Sequence, residues 1–309
     1  MTRILAIGEC MVEMAPTVVV DTYKMGFAGD TMNTAWYLRR LLGPDHQVDY
    51  FTAVGIDSAS DQMLGFLEQA GIGTDHITRR ADRTVGLYMV QLDNGERSFN
   101  YWRGQSAART LAQDDTLLKN ALKGADVAFF SGITIAILPE GDRARILAVL
   151  ATFKAAGGTV VFDPNLRPKL WDSKEDMTCA IMQAAAVSSI SLPSHEDEAE
   201  WFGDADSAAT AARYAKAGAR TVLVKNGPAE ILIHADDTIT TISPEKIDTV
   251  VDTTAAGDSF NAGYLAALLQ GASETEAAAA GAVLAGKVIR SRGALVPQAT
   301  GIVNLRGVI

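Results

Sequence analysis

The stretch Asp252-Thr253-Thr254-Ala255-Ala256-Gly257-Asp258-Ser259-Phe260 places a carboxylate at the end of a run of small residues. It follows Thr249-Val250-Val251, which reads as a strand, and it opens a helical run from Ser259 to Leu269. Small residues let backbone N–H groups approach an anion closely, and a helix N-terminus adds the positive end of its dipole. That combination suits a phosphoryl group carrying extra charge during transfer. The same dipole favours the ionised form of Asp258, which can then accept a proton from an attacking hydroxyl. An Asp at this place also serves as an ordinary helix N-cap, and the local pattern is compatible with both roles.

Other apparent motifs carry less. Gly257-Asp258-Ser259-Phe260 resembles the nucleophile block of GDSL-type esterases, but those need a downstream His base and no His follows His234. Gly281 to Lys287 fits most of a phosphate-binding P-loop, yet Val288 stands where Ser or Thr would hold Mg²⁺. The run from Ala277 to Ile289 reads as a helix without a breaker, and a P-loop follows a strand. The four His are scattered, and Cys10 and Cys179 lie far apart in no CxxC pair. A zinc site and a disulfide framework are therefore not expected.

These residues need a scaffold. Ile4 to Ile7, Val48 to Val54, Val127 to Phe130, Thr159 to Phe162, Val187 to Ser191 and Thr221 to Val224 are short apolar strands. Helical stretches such as Asp30 to Leu42, Asp61 to Ala70, Asp142 to Ala156 and Ser207 to Ala217 alternate with them. The rhythm predicts an α/β fold with a parallel sheet covered by helices on both faces, binding ligand at the carboxyl ends of its strands. Val12 to Phe27 and Thr84 to Tyr101 break the rhythm with strand-like alternation. They read as a small accessory sheet, the alternative being extra edge strands of the main sheet. Asn94-Gly95 suits a hairpin turn between two of these strands. No linker, charge run or repeat divides residues 1–309, so the chain reads as one domain with a lid from about residues 12–27 and 84–103.

Composition sets the outer limits. The 309 residues carry 27 Lys+Arg against 37 Asp+Glu, a net charge of −10. That balance argues against nucleic acid and anionic membranes as partners, because both require a basic face. No segment has the form of a signal peptide or a membrane span, which sets the expectation of a soluble cytoplasmic protein.

Residues Asp252 to Leu265 resemble the C-terminal signature of the ribokinase/PfkB carbohydrate kinases, and Ala28-Gly29-Asp30-Thr31-Met32-Asn33-Thr34-Ala35 resembles their N-terminal one. The resemblance covers essentially the whole chain. It implies a three-layer α/β/α domain, mostly parallel, with a small β-sheet lid. Segments Gly8 to Glu13, Gly86 to Tyr88, Gly95 to Arg103 and Phe162 to Trp171 are similar to the 2-keto-3-deoxygluconate kinases of that family. This likeness implies ATP-dependent phosphorylation of a sugar acid at its terminal C6 hydroxyl; 2-keto-3-deoxygalactonate and fructose are the alternative substrates. Asp258 would be the base, with Ala255, Ala256 and Gly257 forming the anion hole; Ala255 replaces a Gly of the pattern, which costs little if the backbone there needs no positive φ.

The resemblance gives Gly29, Asp30, Asn33, Tyr88, Tyr101, Arg103 and Arg167 to the sugar acid, the two arginines being fork-shaped donors for its carboxylate. It gives Ser194, Lys225, Gly227, Thr253, Ala255 and Gly257 to ATP. The family's Asn-x-x-Glu motif for Mg²⁺ is altered to Ser194 and Asp197, so Asp197 would act through metal-bound water, with Glu196 and Glu198 as competing carboxylates. His195 is expected at the surface. A monovalent cation fits the same expectation, and lid strands that pair between subunits would make a dimer or an assembly of dimers.

Overall fold

The computed structural model describes residues 1–93 and 96–300, leaving aside the side chains of residues 92–97, and the Asn94-Gly95 turn lies outside the described residues. In chain order the strands are β1 (Thr2–Ile7), β2 (Met11–Pro16), β3 (Tyr23–Ala28), β4 (His46–Gly55), β5 (Ile77–Arg80), β6 (Gly86–Asp93), β7 (Glu96–Trp102), β8 (Val127–Ser131), β9 (Thr159–Asp163), β10 (Ile190–Ser191), β11 (Thr221–Val224), β12 (Ile231–Ala235) and β13 (Thr238–Ile242). The helices are α1 (Asp30–Leu41), α2 (Ser58–Gln69), α3 (Asp115–Leu122), α4 (Gly132–Ala136), α5 (Glu140–Ala155), α6 (Lys174–Val187), α7 (His195–Phe202), α8 (Ser207–Ala217), α9 (Ala256–Leu269) and α10 (Glu274–Val288).

Among the described residues, nine strands form one sheet in the order β13-β12-β11-β10-β9-β8-β1-β4-β5. Its pairs from β5 to β11 are parallel, and β11, β12 and β13 are antiparallel. Strand β1 shows why the sheet is double-covered. Ile4, Leu5, Ala6 and Ile7 are all fully buried. Ile4 and Ala6 pack into the apolar layer containing residues of α1, α9 and α10, whereas Leu5 and Ile7 pack into that of α3, α5, α6 and α8. Period-2 side chains thus feed two cores from one strand. Helix starts follow the sequence: Asp57, Asp114, Ser173, Asp206 and Ser273 each accept a backbone N–H of the helix they open.

The second sheet has the order β3-β2-β6-β7 and is separate from the main one, so the accessory strands are not extra edge strands. It grows directly out of β1 through Gly8-Glu9-Cys10 and returns to α1 through Gly29.

Some local expectations are corrected. Thr249 to Val251 is not a strand; the N–H groups of Val251 and Asp252 both donate to the carbonyl of Ile289 just after α10 (2.8 and 3.1 Å). Val187 belongs to α6, which leaves β10 only two residues long. The β12–β13 hairpin had no Gly signal because Asp236 and Asp237 take the left-handed conformation of its turn (φ 47° and 60°). The P-loop look-alike is part of α10, where a Cβ on Gly281 would stand 2.7 Å from the Phe260 carbonyl; Gly281 serves close packing of α10 on α9, whereas Gly286 faces Ile247. No helix among the described residues is long and apolar enough to cross a membrane.

Candidate active site

Helix α9 begins at Ala256, three residues earlier than the sequence pattern suggested, so Asp258 lies in its first turn. The loop before it is fastened by Asp252, whose Oδ1 accepts from the Thr254 N–H and hydroxyl (3.1 and 2.7 Å) and whose Oδ2 accepts from the Gly293 N–H (2.7 Å). Ala255 then adopts φ 59°, ψ 20°, a left-handed conformation. The condition under which Ala costs little here is therefore not met, because Cβ crowds the following carbonyl in this region. Ala255→Gly is expected to raise stability by up to about 1 kcal/mol, the relief of strain being partly offset by a more flexible unfolded chain. Thermal unfolding of the two proteins checks this; an unchanged or lower Tm would contradict it.

Asp258 Oδ2 accepts a hydrogen bond from Asn33 Nδ2 (2.8 Å), and the Thr34 hydroxyl donates to the Asp258 carbonyl (3.1 Å). The side chain is half-buried. Burial, reinforced by the nearby Asp30 carboxylate, pushes its pKa up to about 8, while the Asn33 bond opposes the shift. Burial and the Asp30 carboxylate therefore work against the helix dipole, which by itself favours the ionised form.

Asp30 opens α1; its Oδ1 accepts from the Thr31 N–H and its Oδ2 from Asn165 Nδ2 (both 2.8 Å). Gly29 is required for space, since a Cβ there would stand 2.1 Å from the Glu9 carbonyl. Lys225 follows β11 and is buried, with Nζ against Asp163 and Asn261. Lys225 also fixes the start of α7, its backbone exchanging hydrogen bonds with Pro193 and His195 (2.8 Å each) beside a bridge to Ser194. Gly227 and Thr253 are exposed, and Gly227 takes φ 53°.

Residues in and beside the smaller sheet form a second group. In register, Glu13 lies beside Tyr88 and Tyr88 opposite Tyr101. The Tyr88 hydroxyl donates to Glu13, and burial raises the phenol further out of the titrating range. Tyr88 and Tyr101 rings pack at 5.8 Å, with Tyr101 half-exposed. Arg103 is not a free donor: its Nη2 is bound to Oε2 of the fully buried Glu9. Glu9 Oε1 and Arg103 Nε are buried without partners in the described structure. Glu9 thus joins the two groups, its carbonyl against Gly29 and its carboxylate on Arg103. Arg167 is exposed, donates to the Leu166 carbonyl (2.7 Å), and its charge acts on Asp197.

Asp197 is partly buried and its carboxyl is held above the usual range by desolvation, which Arg167 and Lys225 counteract. Glu198 does not compete with it, being fully buried with Arg213 (2.7 Å) and the Tyr214 hydroxyl (2.9 Å). His195 is partly exposed, with Nδ1 3.2 Å from the Thr210 hydroxyl. Among the described residues no group of three or more His, Cys, Asp or Glu could hold a metal ion. Glu9, Glu13, Asp163, Asn165 and Asn261 were not assigned to the site from the sequence. The first four stand inside the segments Gly8 to Glu13 and Phe162 to Trp171, and Asn261 lies three residues after Asp258 in the C-terminal signature.

The profile of the pfkB family carbohydrate kinases matches residues 1–300. The chain belongs to this family. It is an ATP-dependent sugar kinase. A relative from Dickeya dadantii (strain 3937), named 2-dehydro-3-deoxygluconokinase, is 39% identical over 302 residues, covering 96% of this chain and 97% of its own. A fructokinase from Vibrio alginolyticus is 27% identical over 270 residues, with 87% and 84% covered. The crystal structure of a PfkB protein from Polaromonas sp. JS666 superposes with a TM-score of 0.82 at 25% identity, over 94% of this chain and 96% of that one. The separate β-sheet and the mostly parallel main sheet of this kinase accord with that likeness.

Proposed function

We propose that this kinase transfers the γ-phosphoryl group of ATP to the terminal C6 hydroxyl of 2-keto-3-deoxygluconate, giving the 6-phosphate and ADP. The observation that carries the reading is the Asp258 carboxyl, bound by Asn33 in the first turn of α9 and directly beyond the small residues 255–257. The name of the Dickeya relative supports the sugar acid as substrate.

In this scheme Asp258 takes the proton of the attacking hydroxyl as the new O–P bond forms and the β,γ-bridging P–O bond breaks. The N–H groups at the start of α9 hold the transferred group, and Gly29, Asp30 and Asn33 bind the sugar hydroxyls. Arg103 and Arg167 take the substrate carboxylate, with Tyr88 and Tyr101 alongside. Ser194, Lys225, Gly227 and Thr253 border ATP. Bound Mg²⁺ would offset the phosphate charge; it keeps several waters in kinases, so the half-buried Asp197 fits a water-mediated contact and a cage of carboxylates is not needed. The lid strands are proposed to pair with those of a second copy of the chain.

One observation favours a second reading. Glu9 already balances Arg103, which suits a neutral sugar such as fructose better than an acid. The position and identity of the product distinguish the two: ³¹P and ¹³C NMR of the product formed from the sugar acid should show phosphate on C6. Phosphate on another carbon, or no product from the acid, would overturn the proposal.

A base acts when deprotonated. With Asp258 pushed up to about 8 in the free enzyme, kcat/KM should rise with pH and level off above that value. Loss of this limb in Asp258→Asn would tie it to the residue, whereas a profile flat from pH 6 to 9 in the wild type would contradict the assignment.

A further inference from the structure

The Lys225 side chain ends in a polar triangle that a role at the edge of a nucleotide loop does not require. Its Nζ donates to Asp163 Oδ1 (3.3 Å) and Asn261 Oδ1 (3.2 Å), while Asn261 Nδ2 donates to Asp163 Oδ2 (2.7 Å). All three residues are buried, Lys225 at 9% exposure, Asp163 at 4% and Asn261 at 0%. Asp163 ends β9, Lys225 follows β11, and Asn261 lies in the second turn of α9. Both strand ends are carboxyl ends of parallel strands, where open α/β sheets meet their ligands.

Burying a flexible lysine against an Asp gives little net stability, because desolvation of both charges offsets their attraction. The arrangement makes better sense as orientation. An ammonium has three N–H donors, and two are committed to the triangle. No described hydrogen bond takes the third. The space beside Gly257 is within its reach, since a Cβ built on Gly257 would stand 3.6 Å from Nζ. Gly257 belongs to the first turn of α9, beside Asp258.

We propose that Asp163 and Asn261 are positioning residues that hold the Lys225 ammonium as a fixed cation against the γ-phosphoryl group of ATP. This rests on the kinase reading above and deepens it, moving Lys225 from the border of the nucleotide to the group being transferred. During transfer the hydroxyl oxygen of the sugar bonds to the γ-phosphorus, its proton passes to Asp258, and the β,γ-bridging oxygen leaves with ADP. A cation that is already oriented stabilises the charge on the moving group without reorganising. The altered Ser194/Asp197 motif gives a reason for it, because a side-chain cation makes up for a weaker grip on the metal.

The test is calorimetric titration of ATP and of ADP, each with Mg²⁺ and without sugar, into the wild type, Lys225→Met and Asp163→Asn, together with kcat. Lys225→Met should weaken ATP about 10- to 100-fold, leave ADP within about twofold, and lower kcat by at least about 10-fold, the scale of a lost charged hydrogen bond. Asp163→Asn should reduce the preference for ATP over ADP in the same sense by about 3- to 10-fold, which keeps the proposal testable if the lysine variant does not fold. Equal losses for ATP and ADP would place Lys225 on the α- and β-phosphates and overturn the proposal. Unchanged affinities would make the triangle structural, and a raised Mg²⁺ requirement alone in Asp163→Asn would assign Asp163 to the metal; either overturns it as well. Nucleotide binding is read without sugar, so a failure of the sugar-acid reading leaves this result standing.

Discussion

Asp258→Asn should lower kcat by on the order of 10²-fold or more while the affinity for ATP stays close to that of the wild type. The substitution keeps the shape of the side chain, and its amide oxygen can still accept from Asn33, which donates to Asp258 Oδ2 in the native protein. What it removes is the ability to take a proton. The helix N-terminus and the loop fastened by Asp252 remain, so phosphate binding persists. Steady-state kinetics with a nucleotide titration check both halves. Turnover near that of the wild type would remove Asp258 as the base.

Arg103→Ala should destabilise the fold by about 3–5 kcal/mol, quite apart from any effect on substrate. Glu9 is 2% exposed, and its Oε1 already lacks a partner, so removing Arg103 leaves a buried carboxylate uncompensated. Arg167 is exposed, and Arg167→Ala should stay within about 0.5 kcal/mol of the wild type. Both variants should raise KM for the sugar acid far more than for ATP. Urea unfolding alongside kinetics separates the two effects; equal stability losses would contradict the burial argument, and equal KM effects on both substrates would give the arginines a structural role. Arg103→Met with Glu9→Gln should recover much of the stability, since a buried ion pair replaced as a pair costs less than one broken.

The alternating apolar strands and helices were legible in the sequence because burial on both sides of one sheet writes a direct pattern. Ile4 to Ile7 shows this, each residue passing its side chain to one of two cores. The corner proposed to hold phosphate could be singled out because a run of small residues stands directly before a helix with a carboxylate in its first turn. What stayed hidden depends on pairs distant in the chain. Glu9 and Arg103 are 94 residues apart, and Lys225 and Asp163 are 62 apart. Nothing local to Arg103 says that its charge is already met. The upward pull on the Asp258 pKa was hidden for the same reason: the dipole is local to α9, whereas burial and the Asp30 carboxylate come from the fold. Ala255 shows a third limit, since a Gly-to-Ala change reveals nothing of φ until the loop is seen.

The site is proposed to phosphorylate a sugar acid rather than a neutral sugar. This is tested most directly by ADP release measured across 2-keto-3-deoxygluconate, 2-keto-3-deoxygalactonate, fructose and ribose under one set of conditions. The highest kcat/KM is expected for 2-keto-3-deoxygluconate. Turnover of fructose with none of 2-keto-3-deoxygluconate would contradict it.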